Sequence, residues 1–232
     1  MTSLINSFSE AFGLIFRLDP ELRAIIILSL EVSGAALIIS VLAGIPLAAF
    51  LALKKFRFKG IVISLAETFM GLPPVVVGLF LYLFLSRSGP LGFMGLLYTP
   101  SAMVIAQAVL AFPIIVALSH SAIINVDPVI RQAAVSLGAT PAQAAVTVVG
   151  EAMYGIVSAI IAGFGRVMAE VGAILIVGGN IAGYTRVMTT TIALETDKGN
   201  FELAIALGII LLCISLFIST LLRVVQNKAR SG

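Results

Sequence analysis

Charge is scarce in this chain. Of 232 residues, 11% are charged and 60% are hydrophobic, against about 25% and roughly 45–50% in a soluble domain. A globule this apolar has too few polar groups to cover its surface, so its solvent is lipid. Cysteine is nearly absent. Cys213 stands alone, which excludes an internal disulfide and a thiolate metal cluster, and its apolar surroundings read as packing. The one histidine, His120, has no cysteines or clustered carboxylates to make a metal site. No Gly-x4-Gly-Lys-Ser/Thr loop is present, so the chain lacks the usual cradle for nucleotide phosphates. The net charge of +3 is mild, and outside residues 54–59 no Lys/Arg run suggests nucleic acid. The N-terminus lacks the basic start, continuous apolar stretch and small-residue cleavage site of a secretory signal.

What is present is apolar length. A spanning helix takes about 20 mostly apolar residues. Five stretches qualify: Leu22 to Leu53, Gly60 to Leu85, Ser101 to Ile124, Met153 to Val177, and Phe201 to Val225. The expected fold is all-α and integral to the membrane, one domain over 1–232 with no separate soluble domain, long linker or low-complexity tract. Within residues 1–20, Leu4, Ile5, Phe8, Phe12, Ile15 and Phe16 recur near helical spacing. They predict an amphipathic helix over residues 3–17 on the membrane surface, with a frayed terminus as the alternative.

Basic residues orient the spans. Lys54, Lys55, Arg57 and Lys59 cluster after the first, and Arg223, Lys228 and Arg230 close the fifth. Five spans put both clusters on one side, assigned to the cytoplasm. The N-terminus is then outside and the C-terminus cytoplasmic. The 125–152 loop is also inside, and the 86–100 and 178–200 loops are outside. Inside segments carry eight basic residues, and outside ones carry Arg17, Arg23, Arg87, Arg186 and Lys198.

Proline interrupts several spans: Pro46 in the first, Pro73 and Pro74 in the second, Pro113 in the third. Each removes a backbone donor, and the freed carbonyls need partners inside the protein. The run Gly71-Leu72-Pro73-Pro74 predicts a broken helix facing a pathway or a subunit contact.

The 125–152 loop has its own punctuation. Asp127-Pro128 reads as an N-cap and first helical residue, Gly138 as a left-handed stop, and Thr140-Pro141 as a second start. This predicts a short helix, a glycine turn and another helix. Its Ala, Val and Leu side chains and low charge predict docking onto another protein.

The order of motifs resembles the permease subunits of ABC importers. Their cytoplasmic signature is Glu-Ala-Ala, three residues, Gly, nine residues, then Ile-x-Leu-Pro. Gln132-Ala133-Ala134, Gly138 and Val148 fall at that spacing. Leu72-Pro73-Pro74-Val75-Val76-Val77-Gly78, Ala106-Gln107, Phe112-Pro113, Phe164 to Gly172 and Gly178-Gly179-Asn180-Ile181 resemble the molybdate type. Two departures, Gln132 for Glu and Gly150-Glu151 for Leu-Pro, point away from the main molybdate and sulfate branches. The stretch Tyr184 to Thr196 looks most like tungstate permeases.

That resemblance implies a type I importer permease fold and a symmetric pair of chains. It implies an ATPase subunit docked on a coupling helix, with Asp127, Arg131, Gln132, Ala133, Ala134, Gly138, Ala139 and Thr140 as coupling residues. It further implies an extracytoplasmic substrate-binding protein, an oxyanion as solute, and a non-enzymatic chain with ATP held only by its partner.

For the pathway or gate, the candidates are Pro73, Pro74, Arg166, Glu170, Arg186, Thr189 and Thr190. Arg166 and Glu170 stand four apart in the fourth stretch, where a helix would put them on one face. Charge inside a membrane is costly and faces inward. The pair reads as a gate, as a buried ion pair, or as a contact to backbone freed near Pro73-Pro74. Arg186, Thr189, Thr190 and Thr191 offer donors for an oxyanion, or form an ordinary solvated loop. No nucleophile, base and orienter come together for an enzyme, and the extra spans and internal repeat typical of a secondary carrier are missing.

Overall fold

The computed structural model describes Gly13 and residues 20–231, the side chains at 225 and 228–231 excepted. Apart from Gly13, the amphipathic segment expected over residues 3–17 lies outside the described residues.

The described chain is helical throughout. The first helix, α1, is Pro20–Leu53; at 34 residues it is about 51 Å long, well beyond a hydrocarbon core of roughly 30 Å. Next come α2 (Lys59–Met70) and α3 (Pro74–Leu85), a short 3-10 turn at Gly92–Met94, then α4 (Pro100–Ile124). They are followed by α5 (Pro128–Ser136), α6 (Pro141–Glu151), α7 (Met153–Met168) and α8 (Gly172–Gly178). The last two are α9 (Met188–Asp197) and α10 (Phe201–Ser231). Three helices are long and apolar enough to cross a membrane, or up to five segments if each broken pair, α2 with α3 and α6 with α7, counts as one span. Outward faces carry Ile38, Leu42, Leu212, Leu216 and Phe217, all more than half exposed. Hydrocarbon, not water, suits such a surface.

Proline decides where spans break. Pro46 and Pro113 stay inside continuous helices. The adjacent pair Pro73-Pro74 does not. Two consecutive residues without N–H groups cannot continue the ladder, and Leu72 before them is driven out of helical geometry. The helix restarts with Pro74 at its first position, after Pro73 in extended geometry (ψ 125°).

The fourth stretch departs from the expected single helix. α7 stops at Met168 and α8 starts at Gly172, so Arg166 and Glu170 are not one turn apart on a shared helical face. Glu170 itself supplies the reason. Its Oε1 accepts from the Ala173 N–H (2.9 Å), serving the first turn of α8, and its carbonyl accepts from the Thr189 hydroxyl (2.8 Å). Its side chain and carbonyl are engaged away from α7, while its N–H still donates to the Val167 carbonyl (3.4 Å).

The chain gathers into two compact units. The first holds the described part of Met1–Ala36, Pro73–Gln107 and Val167–Ile218. Here α3 packs closely on α8. A Cβ on Gly78 would fall 2.9 Å from the Ala173 Cα, so glycine permits this approach. Buried Gln107 donates to Ser33 Oγ (3.2 Å) and the Val167 carbonyl (2.9 Å). The Met188 N–H donates to Ser29 Oγ (2.8 Å).

The second unit holds Leu37–Leu72, Ala108–Arg166 and the described part of Ser219–Gly232. Its core includes Ala48, Ile123, Val148, Ala152 and Ile156. A Cβ on Gly44 or Gly163 would fall within 3 Å of Ile115 side-chain atoms. Gln226 donates to the Tyr154 carbonyl (3.0 Å) and to Ser158 Oγ (2.5 Å), tying the end of α10 to α7.

Candidate functional site

The 125–152 segment is built by local capping. Asp127 Oδ1 accepts from the Val129 N–H (2.9 Å), and Pro128 takes the first position of α5, where a missing N–H costs nothing. The helix runs nine residues. Gly138 follows at φ +89°, left-handed geometry that glycine enters without the Cβ clash of other residues. The Ala139 N–H donates to the Ala134 carbonyl (3.0 Å), closing the turn. Thr140 then starts α6 with a reciprocal capping box. Its hydroxyl accepts from the Gln143 N–H (3.3 Å), and Gln143 Oε1 accepts from the Thr140 N–H (2.8 Å).

Only α6 is anchored in the core, through Ala144 and Val148. No residue of α5 is buried. Asp127, Arg131, Gln132, Ala133, Gly138 and Thr140 are exposed, while Ala134 and Ala139 are half-buried. Leu137 is 89% exposed, the largest value among the described large hydrophobics, and Val129, Val135 and Val146 are also exposed. A structured helix pair with an apolar outer face is a surface for a protein partner. The loop pattern had revealed both helices. The importance of Leu137 emerges only from its exposure.

Arg166 reaches the break between α2 and α3. Its Nη2 donates to the Leu72 carbonyl (3.1 Å), one of the groups released by the proline pair. Its buried Nε has no hydrogen-bond partner among the described residues. A guanidinium has five donors, so this arginine braces the broken backbone and retains capacity toward an anion. Pro73 is exposed and Pro74 half-buried. Glu170 is 2% exposed and acts on the α8 terminus as described.

The 178–200 segment is more ordered than a solvated loop. Buried Thr185 donates to the Gly178 carbonyl (2.6 Å) and accepts from the Ile181 N–H (2.9 Å). Thr190 and Thr191 are buried too, and both hydroxyls donate to the Val187 carbonyl (3.1 and 2.7 Å). A hydroxyl has one proton. With the Thr189 proton on the Glu170 carbonyl, all three threonines of the 189–191 run donate to backbone carbonyls, which leaves the Arg186 guanidinium as a donor in this group. Arg186 Nη1 lies 3.8 Å from Glu21 Oε1, and its buried Nε has no hydrogen-bond partner among the described residues.

Glu195, absent from the sequence-derived candidates, holds the end of α9. It accepts from Lys198 Nζ and Asn200 Nδ2, both at 2.9 Å. The Lys198 hydrogen bond, helped by Asn200 and opposed by burial, holds its carboxyl below the usual value. The sequence singled out Gln107 only within the Ala106-Gln107 pair, and packing shows what it bridges.

The described chain is a set of apolar helices with a capped, exposed helix pair between them. Residues 44–231 match the family described as binding-protein-dependent transport system inner membrane component, and the chain belongs to it. It is an inner-membrane, multi-pass permease of a binding-protein-dependent ABC importer, a transport subunit that is not catalytic. Membership implies an ATPase that uses ATP and a separate binding protein.

Among curated relatives, a probable anion ABC transporter permease of Haloferax volcanii is 46% identical, covering 86% of this chain and 88% of that one. A tungstate uptake system permease of Peptoclostridium acidaminophilum is 40% identical over 98% of this chain and 100% of its own. A molybdenum transport system permease of Escherichia coli is 33% identical, covering 91% and 97%. Among solved structures, a bacterial alginate ABC importer superposes with a TM-score of 0.71 at 20% identity, covering 94% of this chain and 82% of that one. An amino acid ABC transporter superposes at 0.66 and 21% identity, covering 94% and 98%. At that identity the structures establish the shared type I importer fold.

Proposed function

We propose that two copies of this chain form the pathway of an oxyanion importer, with tungstate the favoured solute and molybdate next. The observation that carries the solute is the similarity, over most of the chain, to permeases named for anions, tungstate and molybdenum. The chain folds as one permease domain. Its 54–59 and 125–152 segments and its C-terminus face the cytoplasm, and its 86–100 and 178–200 segments face outward toward the binding protein. An ATPase subunit seats on α5 and the following turn, through Asp127, Arg131, Gln132, Ala133, Ala134, Gly138, Ala139 and Thr140, with Leu137 as its apolar anchor. ATP closes the ATPase pair, and the rigid helix pair carries that motion into the spans. The solute then meets alternating access, which requires each ligand to favour one of two global states.

Within the pathway, Arg166 beside the Pro73-Pro74 break and Arg186 in the outer segment are the cationic groups offered to the anion. Glu170, Thr189 and Thr190 hold the backbone that positions them. Binding an oxyanion by fixed guanidinium donors needs no proton transfer.

The test is uptake into proteoliposomes holding the chain, its ATPase and its binding protein, with metal counted by mass spectrometry. Tungstate, molybdate, sulfate and methionine compete, with and without ATP. ATP-dependent tungstate uptake that sulfate and methionine fail to block is the expected result. ATP-driven uptake of sulfate or methionine instead would discard the oxyanion assignment as stated. Uptake indifferent to ATP would point to a channel or carrier.

A further inference from the structure

A groove of about 510 Å³ runs along the second unit between α1, α2 and α4. Its lining is apolar almost throughout: Ile39 and Leu47 from α1, Val62 and Phe69 from α2, Val109 and Phe112 from α4 are among its walls. The volume lies within the usual range for small-molecule sites, about 300–1,000 Å³. The nine residues from Ile39 to Leu47 span about 12 Å along α1, and Ala108 to Val116 span the same along α4. That length matches the hydrocarbon half-thickness of a single leaflet, about 15 Å.

The groove has a charged mouth on the same unit. Lys54, Lys55 and Arg57 are exposed, and half-buried Lys59 donates to the Ala52 carbonyl (3.3 Å). Lys59 lies three residues before Val62, about 4.5 Å along the helix axis. Lys54 lies seven residues after Leu47, about 10 Å. By helical rise, the basic residues of 54–59 follow the α1 wall and precede the α2 wall, beyond one end of this apolar slot. Glu67 is exposed on α2 but lies about 12 Å along the axis from Lys59, away from that mouth.

We propose that this is a binding site for an anionic phospholipid, with one acyl chain in the α1–α2–α4 groove and the phosphate on Lys54, Lys55, Arg57 and Lys59. Charge complementarity selects the headgroup, because basic residues at a membrane surface attract anionic lipid. Apolar lining selects the chain. The lipid wedges α2 against α1 and α4, and α2 leads into the Pro73-Pro74 break, so anionic lipid content tunes transport. The inference rests on the chain being a membrane permease and is independent of which solute it carries.

The experiment uses the assembled transporter with its ATPase, in nanodiscs of phosphatidylcholine with graded phosphatidylglycerol, and native mass spectrometry of the lipid retained on release. Wild type should keep phosphatidylglycerol in preference to phosphatidylcholine. The triple variant Lys54→Gln, Lys55→Gln, Arg57→Gln should lose retention by roughly fivefold for each charge removed. Ala66→Trp fills the groove and should lose retention with the cations intact; Val109→Trp fills it from α4 if the first variant fails to assemble. Equal retention of both lipids would overturn the proposal. So would loss in the basic variant alone, which describes surface attraction without a groove. High-yield disulfide crosslinking between two copies through Phe69→Cys would also overturn it, since a second chain would then occupy the slot.

Discussion

Two connecting segments of this chain solve opposite problems. Residues 125–152 expose their apolar side chains, with Leu137 89% in solvent and α5 burying nothing. Residues 178–200 instead bury polar ones, among them Thr185, Thr190, Thr191 and Glu195. In the first, stability comes from caps within a few residues, and the apolar surface is left for a partner. In the second, hydroxyls and a carboxylate satisfy backbone and lysine groups inside the fold. Substitutions in the two segments should therefore separate cleanly, the first changing transport and the second changing stability.

The largest effect is expected at Gly138. Gly138→Val places a β-branched residue at φ +89°, geometry that costs roughly 1–2 kcal/mol for ordinary residues and more for branched ones. ATP-driven uptake in proteoliposomes should fall on the order of a hundredfold, while the chain still inserts and the ATPase still hydrolyses ATP. Coupled transport at the wild-type rate would remove the mechanical role of this turn.

Next is Leu137→Asp. A buried interface anchor is worth about 2 kcal/mol or more, so the ATPase should bind roughly thirtyfold more weakly in a pull-down titration. The melting temperature of the isolated permease should not move, because Leu137 is 89% exposed. A shifted melt would mean that α5 contributes to the fold.

Thr185→Val probes the other segment. It keeps shape and removes a hydroxyl that serves the Gly178 carbonyl and the Ile181 N–H. Leaving buried groups unpaired costs about 1–3 kcal/mol each. The detergent-solubilised chain should melt several degrees lower while ATPase affinity stays unchanged. Altered ATPase affinity would erase the contrast between the segments.

The smallest effect is a pH limb. Because the Glu195 carboxyl is held below its ordinary value of 4.5, its stabilising contribution is complete above that value. It is lost as pH falls through the lower, folded-state value. Glu195→Gln should lower the melting temperature slightly at neutral pH, where the carboxylate's contribution is complete, and flatten the acid limb of the profile below about pH 4.5. An unchanged acid limb would show that Lys198 and Asn200 do not engage the carboxylate in solution.

The same contrast explains what could be read in advance. The coupling segment was legible because its signals are adjacent in sequence: Asp127 before Pro128, Gly138 after Leu137, Thr140 before Pro141 and Gln143. Cap chemistry acts over three or four residues, so spacing alone exposes it. The break at Pro73-Pro74 was legible for the same reason. The end of α7 was not, because Glu170 reads as one more helical residue until its carbonyl meets Thr189, nineteen positions away. Likewise the threonines near 190 looked like donors for a solute until their partners were visible.

By itself the sequence determined that this chain lives in lipid as a bundle of apolar helices, that it lacks a nucleotide loop, and that a capped helix–turn–helix interrupts those spans. Those properties follow from composition, apolar length and near-neighbour hydrogen bonding. Tertiary structure decided which polar groups are already engaged. It sent Arg166 to the Leu72 carbonyl, Gln107 to Ser33 and Val167, and Thr190 and Thr191 to Val187, and it left the face around Leu137 uncovered. A side chain's free hydrogen-bonding capacity is what remains after its neighbours in space have taken their share, and those neighbours are distant in the chain.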